Sequence, residues 1–238
     1  MPRLGTRKLY HLLKSKFSDL NLKVGRDSLF SILRSQHMLV KRKKSYTKTT
    51  NSKHWLKKHP NLYARNELSR SEEAYVSDIT YVKTKDKTVY LSLVTDAWSR
   101  KIVGHYLSHD MSTKSVSKAI IQAIKGRKTD KHLIHHSDRG LQYAAYDYQD
   151  ILNKGRITPS MTDGYDCYQN ALAERVNGIL KQEFLFYRCN NFEELDNLVT
   201  ESIKIYNNDR PHLSLDMKTP NEVHKKSCET NLTAQFNL

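Results

Sequence analysis

The segment from residue 73 onward constrains the fold of this chain most strongly, because three alternating, β-rich stretches follow one another directly. They read "EAYVSDITYVKT", "TVYLSLVTDAWS" and "KIVGHYLS", and each predicts a strand. Asp86-Lys87 supplies a turn between the first two, and Ser99-Arg100 supplies a tight turn between the second and third. The three strands are therefore predicted to form an antiparallel meander.

Helices and strands alternate after the meander. "STKSVSKAIIQAIKG" predicts a helix that is capped at Ser112 and ends at Gly126, with apolar residues at positions 116, 119, 120, 123 and 124. "HLIHHS" is a short strand, "LQYAAYDYQDILNKG" is one helix ending on Gly155, and "RITPSM" is another strand. Two further helices are predicted at "NALAERVNGILKQEF" and "FEELDNLVTESIKIYNN". This order predicts an α/β layer fold with a mixed sheet.

The N-terminal region predicts a pair of short helices. Residues 5–17 place Leu9, Leu12, Leu13 and Phe17 on one helical face. A second helix is predicted to start at Asp27 as its N-cap, with its apolar side chains inward; these are Leu29, Ile32 and Leu33. Such a pair is typical of a helix-turn-helix whose second helix enters a DNA groove, and equally of a small helical cap with a solvated charged face.

The distribution of charge favours the DNA-binding alternative. The chain has a formal net charge of +15, and residues 1–70 hold 18 Lys and Arg against 3 Asp and Glu, whereas residues 71–238 hold 22 of each sign. The excess of positive charge is therefore in the N-terminal third, and we expect that part of the chain to bind a polyanion. Double-stranded DNA is the expected partner. We predict a helix-turn-helix domain over 1–44, a basic linker over 45–70 that can follow phosphates, and a separate domain over 71–230. The predicted DNA-binding residues here are Arg26, Arg34, Lys41, Arg42, Lys43 and Lys44.

Several other classes of protein are disfavoured by the composition. The three cysteines, Cys167, Cys189 and Cys228, are odd in number and lack CxxC spacing, which argues against a disulfide scaffold or a cysteine-based zinc site. No run of 18 apolar residues exists, and the first ten residues lack the apolar segment of a signal peptide. We therefore expect a cytoplasmic, nucleoid-associated protein with no membrane partner.

Three carboxylates stand at informative positions in the predicted elements. Asp78 lies mid-strand, Asp138 directly follows the fourth strand in "HHSDRGLQY", and Glu174 lies on a helix whose buried stripe is Leu172, Val176, Ile179 and Leu180. Each has an ordinary structural alternative when taken alone. Asp78 could protect an edge strand, Asp138 could cap a helix or form a turn, and Glu174 could pair with Lys181 on the surface.

Taken together, the three carboxylates suit phosphodiester chemistry. A layer fold can bring a mid-strand, a strand-end and a helical position to one edge of the sheet. Hard divalent cations prefer oxygen ligands and retain water, so three carboxylates suffice to hold Mg²⁺, with Mn²⁺ as a substitute. Such ions activate a nucleophile and stabilise the charge on the leaving oxygen of a phosphodiester.

The text around these residues resembles a known family. The 35 residues between Asp138 and Glu174, after an aspartate on a first strand, match the D…D-x35-E pattern of retroviral-integrase-like transposases. The resemblance is to the OrfB-type transposases of bacterial insertion sequences and covers roughly residues 5–225, although Tyr75 and Ser77 stand where Trp and Thr are frequent. The segments that carry it are "SDITYV", "DAWSRKIVGHYLS", "HHSDRGLQY", "QNALAERVNGILKQEF" and "YNNDRPHLSLDMKTPNEV".

The resemblance implies a fold and a function. The fold would be an RNase H-like mixed sheet with helices on both faces, and Asp78, Asp138 and Glu174 would be the catalytic metal ligands. The activity would be Mg²⁺-dependent nicking of element ends followed by transfer of the 3′-OH strand, carried out by a homo-oligomer on DNA. Many relatives carry a further DNA-binding region upstream, so an upstream-frame partner protein is a possible partner. The alternatives are a DNA-binding regulator that occupies element ends without catalysis and a sequence-indifferent nuclease.

Five other residues, one lysine and four histidines, also receive predictions. Lys181 matches a basic position common in the family, and in an α-helix it lies about 20° from the direction of Glu174 and about 10.5 Å further along. That separation suits a contact with a phosphate or base of the bound strand. His135 and His136 are predicted to pack at the strand end rather than to bind metal. His59, like His54, has no cysteine nearby, so no zinc module is expected.

Overall fold

A computed structural model describes residues 1, 3–40, 55–65, 67–163 and 167–236. Its five strands are β1 (Ala74–Lys83), β2 (Thr88–Asp96), β3 (Ile102–Ser108), β4 (Leu133–Ser137) and β5 (Ile157–Met161). Its α-helices are α1 (Thr6–Asp19), α2 (Arg26–Ser35), α3 (Thr113–Lys125), α4 (Leu141–Ala144), α5 (Tyr146–Lys154), α6 (Ala171–Ile179), α7 (Phe192–Asn208) and α8 (Pro220–Phe236). None of the helices in these ranges is both long enough and apolar enough to cross a membrane.

The strands form one mixed sheet in the order β3-β2-β1-β4-β5. β1, β2 and β3 pair antiparallel, whereas β1, β4 and β5 pair parallel. One apolar cluster joins β2 and β3 to α6 and α7, and a second joins the sheet to α3 and α5. The two clusters cover opposite faces, so the predicted α/β fold with helices on both faces of a mixed sheet is confirmed.

The turns of the meander are those that the sequence predicts. Thr84 closes the first turn, since its backbone N–H donates to the carbonyl oxygen of Lys87 over 2.9 Å. In the second turn the backbone N–H of Ser99 donates to Asp96 Oδ1 over 2.7 Å, and Arg100 adopts a left-handed φ of 65°. The helix that follows is also as predicted, with Ser112 accepting a bond from the N–H of Ser115 at its start and Gly126 at its end.

Two predicted helices are interrupted in the structure. The single helix expected over residues 141–154 is wrong, because Ala145 is extended (φ −63°, ψ 142°) and separates α4 from α5. The Gln149 side chain donates to the carbonyl oxygen of Tyr143 over 2.6 Å and so satisfies a group that the break exposes. The second interruption follows α6, where the chain continues as a π-helix over Leu180–Phe184.

The N-terminal helices depart from the expected packing. α2 begins at Arg26 with Gly25 as its N-cap, so the prediction that Asp27 is the N-cap is wrong. Asp27 instead lies in the first turn, where a carboxylate favours the helix dipole, and it pairs with Arg26 over 2.8 Å. Ile32 is 52% exposed and Leu12 is 39% exposed, so neither faces inward as predicted. A pair of short helices has too little shared surface to bury a complete apolar face.

The end of the predicted basic linker packs on the sheet. The backbone N–H groups of Leu62 and Tyr63 donate to Ser160 Oγ over 2.9 and 3.3 Å. Asn61 Nδ2 donates to Gln169 Oε1 over 3.0 Å. These contacts fasten the chain ahead of β1 to the edge strand β5.

The last helix, α8, is an element that the sequence reading did not predict. Pro220 is its first residue, and Thr219 and Glu222 form a reciprocal cap at its start. The backbone N–H of Thr219 donates to Glu222 Oε2 over 2.7 Å, and the N–H of Glu222 donates to Thr219 Oγ1 over 3.3 Å. A Thr-Pro-x-Glu sequence is therefore the signal that would have identified this helix.

Candidate active site

The parallel pairing of β1 with β4 brings two of the predicted carboxylates side by side. Val76 pairs with His136 in this register. Asp78 lies two residues after Val76, and Asp138 lies two residues after His136. Residues that are level with each other on neighbouring parallel strands point to the same face of the sheet. Adjacent strands lie about 4.8 Å apart. Asp78 and Asp138 accordingly line one pocket, together with Met111, Tyr143 and the turn at Gly140.

Asp78 is a partly buried carboxylate with an unusual proton affinity. Burial, followed by the negative charges of Asp138 and Glu174, raises the pKa of Asp78 to about 7, and a hydrogen bond from Asn177 opposes that rise. Asn177 Nδ2 donates to Asp78 Oδ2 over 2.8 Å, and the backbone N–H of Ile79 donates to Oδ1 over 2.9 Å. Two hydrogen bonds therefore hold the Asp78 carboxylate in place, while burial and the neighbouring acids Asp138 and Glu174 disfavour its ionised form.

Asp138 follows β4 in a tight turn. Its Oδ1 accepts a hydrogen bond of 3.0 Å from the backbone N–H of Gly140, which is the N-cap of α4. The turn interpretation of Asp138 is thus correct, and it does not exclude the metal interpretation. The bond fixes the carboxylate at the strand end, where it faces Asp78.

Helix α6 carries Glu174 to the same place. Two asparagines bind the helix to β1: Asn177 through Asp78, and Asn170, whose Nδ2 donates to the carbonyl oxygen of Ser77 over 3.1 Å. Glu174 lies between them on the exposed side of the helix, and burial together with the charge of Asp138 raises its pKa. The structure therefore brings all three predicted carboxylates together. Sequence reasoning gave no role to Asn177, although its place three residues after Glu174 was the available signal.

Lys181 follows α6 and lies near Asp78, whose charge acts on it. It belongs to the π-helical turn, and its Nζ lies 4.4 Å from the centroid of the Tyr81 ring on β1. Burial lowers the pKa of Lys181, and the negative charge of Asp78 partly offsets that effect. The ammonium group thus lies on the border of the acidic site.

The two neighbouring histidines are enclosed by the core. His135 Nε2 lies 2.8 Å from Ser77 Oγ and 3.0 Å from the Tyr148 hydroxyl oxygen, and burial lowers the pKa of His135 to about 3. The ring nitrogens of His136 contact Ser160 Oγ at 2.9 Å and the carbonyl oxygen of Gln169 at 3.1 Å, and burial lowers its pKa to about 4. Both rings are neutral hydrogen-bonding groups that join β4 to its surroundings.

Of the predicted DNA-binding residues on the N-terminal helices, two are described. Arg34 is exposed and stacks on Phe30, with its guanidinium carbon 4.9 Å from the ring centroid. Arg26 lines a basic cavity of about 370 Å³. Lys41, Arg42, Lys43 and Lys44 lie outside the described residues. The other residues that line the cavity are Arg7, Tyr10, His11, Lys14 and Met217.

Sequence reasoning overlooked the basic face of α1. Arg7, His11 and Lys14 follow helical spacing, so they share one side of the helix and face Arg26 of α2. The apolar residues of α1 alone do not reveal this face, but the same helical periodicity applied to its basic residues does.

Comparison with known proteins identifies relatives over most of the chain. Two models of the family described as "Integrase core domain" match residues 69–167 and 155–220. The chain is 34% identical to an "Insertion element IS600 uncharacterized 31 kDa protein" of Shigella sonnei, over 93% of this chain and 81% of the relative. It is 30% identical to the "Putative transposase InsK for insertion sequence element IS150" of Escherichia coli K12, over 94% of this chain and 78% of the relative.

Solved structures of viral proteins share the fold. The catalytic core domain of HTLV-2 integrase in complex with magnesium superposes with a TM-score of 0.52 at 22% identity, covering 65% of this chain and 97% of that chain. The simian T-cell lymphotropic virus intasome in complex with the PP2A regulatory subunit B56 gamma gives a TM-score of 0.58 at 19% identity, covering 92% of this chain and 74% of that one.

Proposed function

Because the chain belongs to the integrase core family and is similar to proteins of bacterial insertion sequences, we propose that it nicks the ends of an element and joins the exposed 3′-OH to another DNA strand. The observation that carries this proposal is the convergence of Asp78, Asp138 and Glu174 from two parallel strands and a helix. Double-stranded DNA is the substrate, and the chain acts as a homo-oligomer in the cytoplasm, at the nucleoid. An upstream-frame protein is a further partner that we propose.

The three carboxylates fit a divalent cation. Their donor set consists of oxygen alone, and their mutual repulsion, which contributes to the pKa of about 7 at Asp78, is of the kind that a bound cation relieves. We propose that Asp78, Asp138 and Glu174 hold Mg²⁺, for which Mn²⁺ can substitute, and the HTLV-2 integrase core was solved in complex with magnesium. Such a cation lowers the pKa of a bound water or hydroxyl and stabilises charge on the leaving oxygen.

The surrounding residues would hold the reactants in place. Asn177 and the backbone N–H of Gly140 fix two of the carboxylates before any ligand arrives. Lys181 would contact a phosphate of the strand being processed. The basic face of α1, with Arg26 and Arg34 of α2, would bind the DNA backbone further out, since phosphate contacts position a protein on DNA.

The function is tested with linear DNA that bears the flanking element ends, in Mg²⁺ or Mn²⁺, scored for nicked and joined strands. Asp78→Asn, Asp138→Asn and Glu174→Gln are each expected to abolish both products while DNA retention stays intact or strengthens slightly, because a negative charge near phosphate is lost. Glu201→Gln, a matched change at an exposed position on α7, is expected to leave both products unchanged.

Three outcomes would count against this proposal. Substantial cleavage by Glu174→Gln would remove that residue from the metal site. Nicking that survives all three substitutions would place the chemistry elsewhere. A wild-type chain that retains the ends without nicking them would favour the regulator that occupies element ends.

A further inference from the structure

A second group of metal-ligating side chains lies at the other end of β1. Glu72 is in the turn that precedes the strand, and His224 and Cys228 lie one helical turn apart on α8. One ligand atom from each side chain lies within 4.8 Å of the other two. Glu72 is 1% exposed and His224 is 5% exposed, whereas Cys228 is partly exposed. Asp78 lies four residues along β1 from Ala74, which is roughly 13 Å of strand beyond the turn that holds Glu72.

The Glu72 carboxylate is held in one orientation by the backbone around it. Its oxygens accept hydrogen bonds from the N–H of Lys128 at 2.9 and 3.0 Å and from the N–H of Thr129 at 2.9 Å. Its own N–H donates to Asp96 Oδ2 over 2.7 Å. Glu72 also has a left-handed φ of 60°, which costs energy for a residue with a side chain and is common where a functional group must be aimed.

The hydrogen bonds of His224 orient its Nε2 toward that carboxylate. Ser99 Oγ donates its one proton to Asp96 Oδ1 over 2.6 Å, so His224 Nδ1, 3.1 Å away, must donate to Ser99 Oγ. Nε2 lies 3.7 Å from Glu72 Oε1, so it forms an ion pair with that carboxylate when the ring is protonated and presents its lone pair to it when the ring is neutral. His224 Nδ1 is thus held by the Ser99 hydroxyl, which the Asp96 carboxylate holds in turn, while Nε2 faces Glu72. Metal-binding histidines are commonly oriented in this way, through a hydrogen bond from the nitrogen that does not bind the metal.

The spacing and the charge of the cluster suit a cation. A distance of 3.7 Å between nitrogen and oxygen is too long for a hydrogen bond, and it is close to the roughly 3.3 Å between two ligands of a tetrahedral zinc ion. Glu72 and Asp96 bring two carboxylates into the interior, and Lys101 is a partly buried cation near them. A divalent ion between Glu72 and His224 would take the place of the proton that makes these two groups an ion pair, and it would bind both the carboxylate oxygen and the ring nitrogen.

We propose that Glu72, His224 and Cys228 bind Zn²⁺, with water in the fourth position, and that the ion fastens α8 to the turn that precedes β1. A thiolate and an imidazole beside one carboxylate favour zinc over magnesium, which requires an all-oxygen set. The site is separate from the catalytic carboxylates, so it does not depend on the proposed DNA chemistry. Its ligands come from distant parts of the chain, which is why their sequence spacing resembles no zinc motif.

The site is tested on the full-length chain after removal of metal with a chelator. Zn²⁺ is titrated in competition with a chromogenic chelator, and Co²⁺ is added in parallel, because a cobalt–thiolate bond gives a charge-transfer band in the near ultraviolet. We expect one equivalent of either ion to bind, the band to appear, and the Tm to rise by several degrees at saturating Zn²⁺. Mg²⁺ at the same concentration is expected to produce none of these effects.

Substitutions assign the ligands. Cys228→Ser is expected to remove the band and to weaken Zn²⁺ binding at least tenfold, and it is a small change at a partly exposed position, so the fold should persist. Cys189→Ser, at the buried free cysteine outside the cluster, and Asp78→Asn, at the catalytic site, are expected to keep both the band and the affinity. His224→Gln is expected to weaken binding as Cys228→Ser does.

The proposal is overturned if wild type binds Zn²⁺ no more tightly than Cys228→Ser, or if the cobalt band survives in Cys228→Ser. Zinc binding lost in Asp78→Asn but kept in Cys228→Ser would place the ion at the catalytic carboxylates, and it would also refute the separate cluster. Failure of DNA nicking with normal zinc binding would contradict the proposed function alone.

Discussion

Asn177 hydrogen-bonds to Asp78, the carboxylate whose pKa is raised furthest among the residues that the structure describes. It is 4% exposed, and its Nδ2 donates to Asp78 Oδ2 over 2.8 Å. That bond favours the ionised carboxylate and opposes burial and the charges of Asp138 and Glu174, which together raise the pKa of Asp78 to about 7. Substituting Asn177→Ala removes the bond, so the pKa of Asp78 should rise further.

The size of the effect follows from the strength of such a bond. A hydrogen bond to a charged group contributes about 1.5–3 kcal/mol, which corresponds to roughly one to two pH units in the pKa of Asp78. A cation binds the ionised form, so protonation competes with it and the apparent affinity falls as the pH drops below the pKa. At pH 7.5 we expect Asn177→Ala to bind Mn²⁺ roughly 3- to 25-fold more weakly than wild type, and the difference should shrink below about twofold near pH 9.5.

The measurement is an isothermal titration of Mn²⁺ into the DNA-free chain between pH 6.5 and 9.5. Asn153→Ala, a matched change at an exposed position on α5, is expected to follow the wild-type curve. If Asn177 only anchored α6, its loss would displace Glu174 and weaken binding equally at every pH. A constant deficit across the pH range, or no deficit, would therefore refute the electrostatic role.

Two further predictions concern packing and DNA positioning. A Cβ on Gly104 of β3 would overlap the carbonyl oxygen of Ala119 on α3, so Gly104→Ala should lower the Tm by roughly 2–12 °C. Gly178→Ala, with open space around it, should leave the Tm unchanged or raise it slightly. Equal melting curves for the two variants would contradict the close approach of β3 and α3. Lys181→Ala should reduce strand joining more than it reduces Mn²⁺ affinity. Lys181→Arg should keep much of the joining, because both lysine and arginine can bind phosphate. Wild-type joining with unchanged end preference in Lys181→Ala would show that Lys181 does not contact the DNA.

The strands and most helices were predictable because each rests on a local pattern, whereas the grouping of the three carboxylates was predicted from the resemblance to a known family. Alternating residues identify β1 and β2, and a β-rich run after a helix identifies β4. Once β1 and β4 are known to be parallel neighbours, Asp78 and Asp138 must lie together. The sequence shows where β1 and β4 begin and end, and it therefore shows where Asp78 and Asp138 lie along the two strands.

The features that sequence reasoning missed depend on contacts between distant residues. Arg210 is 2% exposed and binds Glu183 through two hydrogen bonds of 2.7 and 2.8 Å, yet both residues read as ordinary surface charges. The break at Ala145 occurs in a run with no glycine or proline, and a hydrogen bond from Gln149 satisfies the exposed carbonyl. Periodicity reports which side of an element is apolar, and it carries no information about such polar partners.

The acidic site also lowers the stability of the folded chain, because it holds Asp78 where its ionised form is disfavoured. A carboxyl group whose pKa rises from 3.8 to about 7 on folding is destabilised in its ionised form, by on the order of 4 kcal/mol. Because the folded state holds the proton more tightly than the unfolded state, this contribution lowers stability as the pH rises from about 4 to 7, and the full cost persists above that range. The bond from Asn177 reduces the cost and leaves most of it in place. A divalent cation bound there, as proposed, would offset both the burial of Asp78 and the repulsion from its acidic neighbours, so the charges that destabilise the metal-free chain would favour binding of the metal.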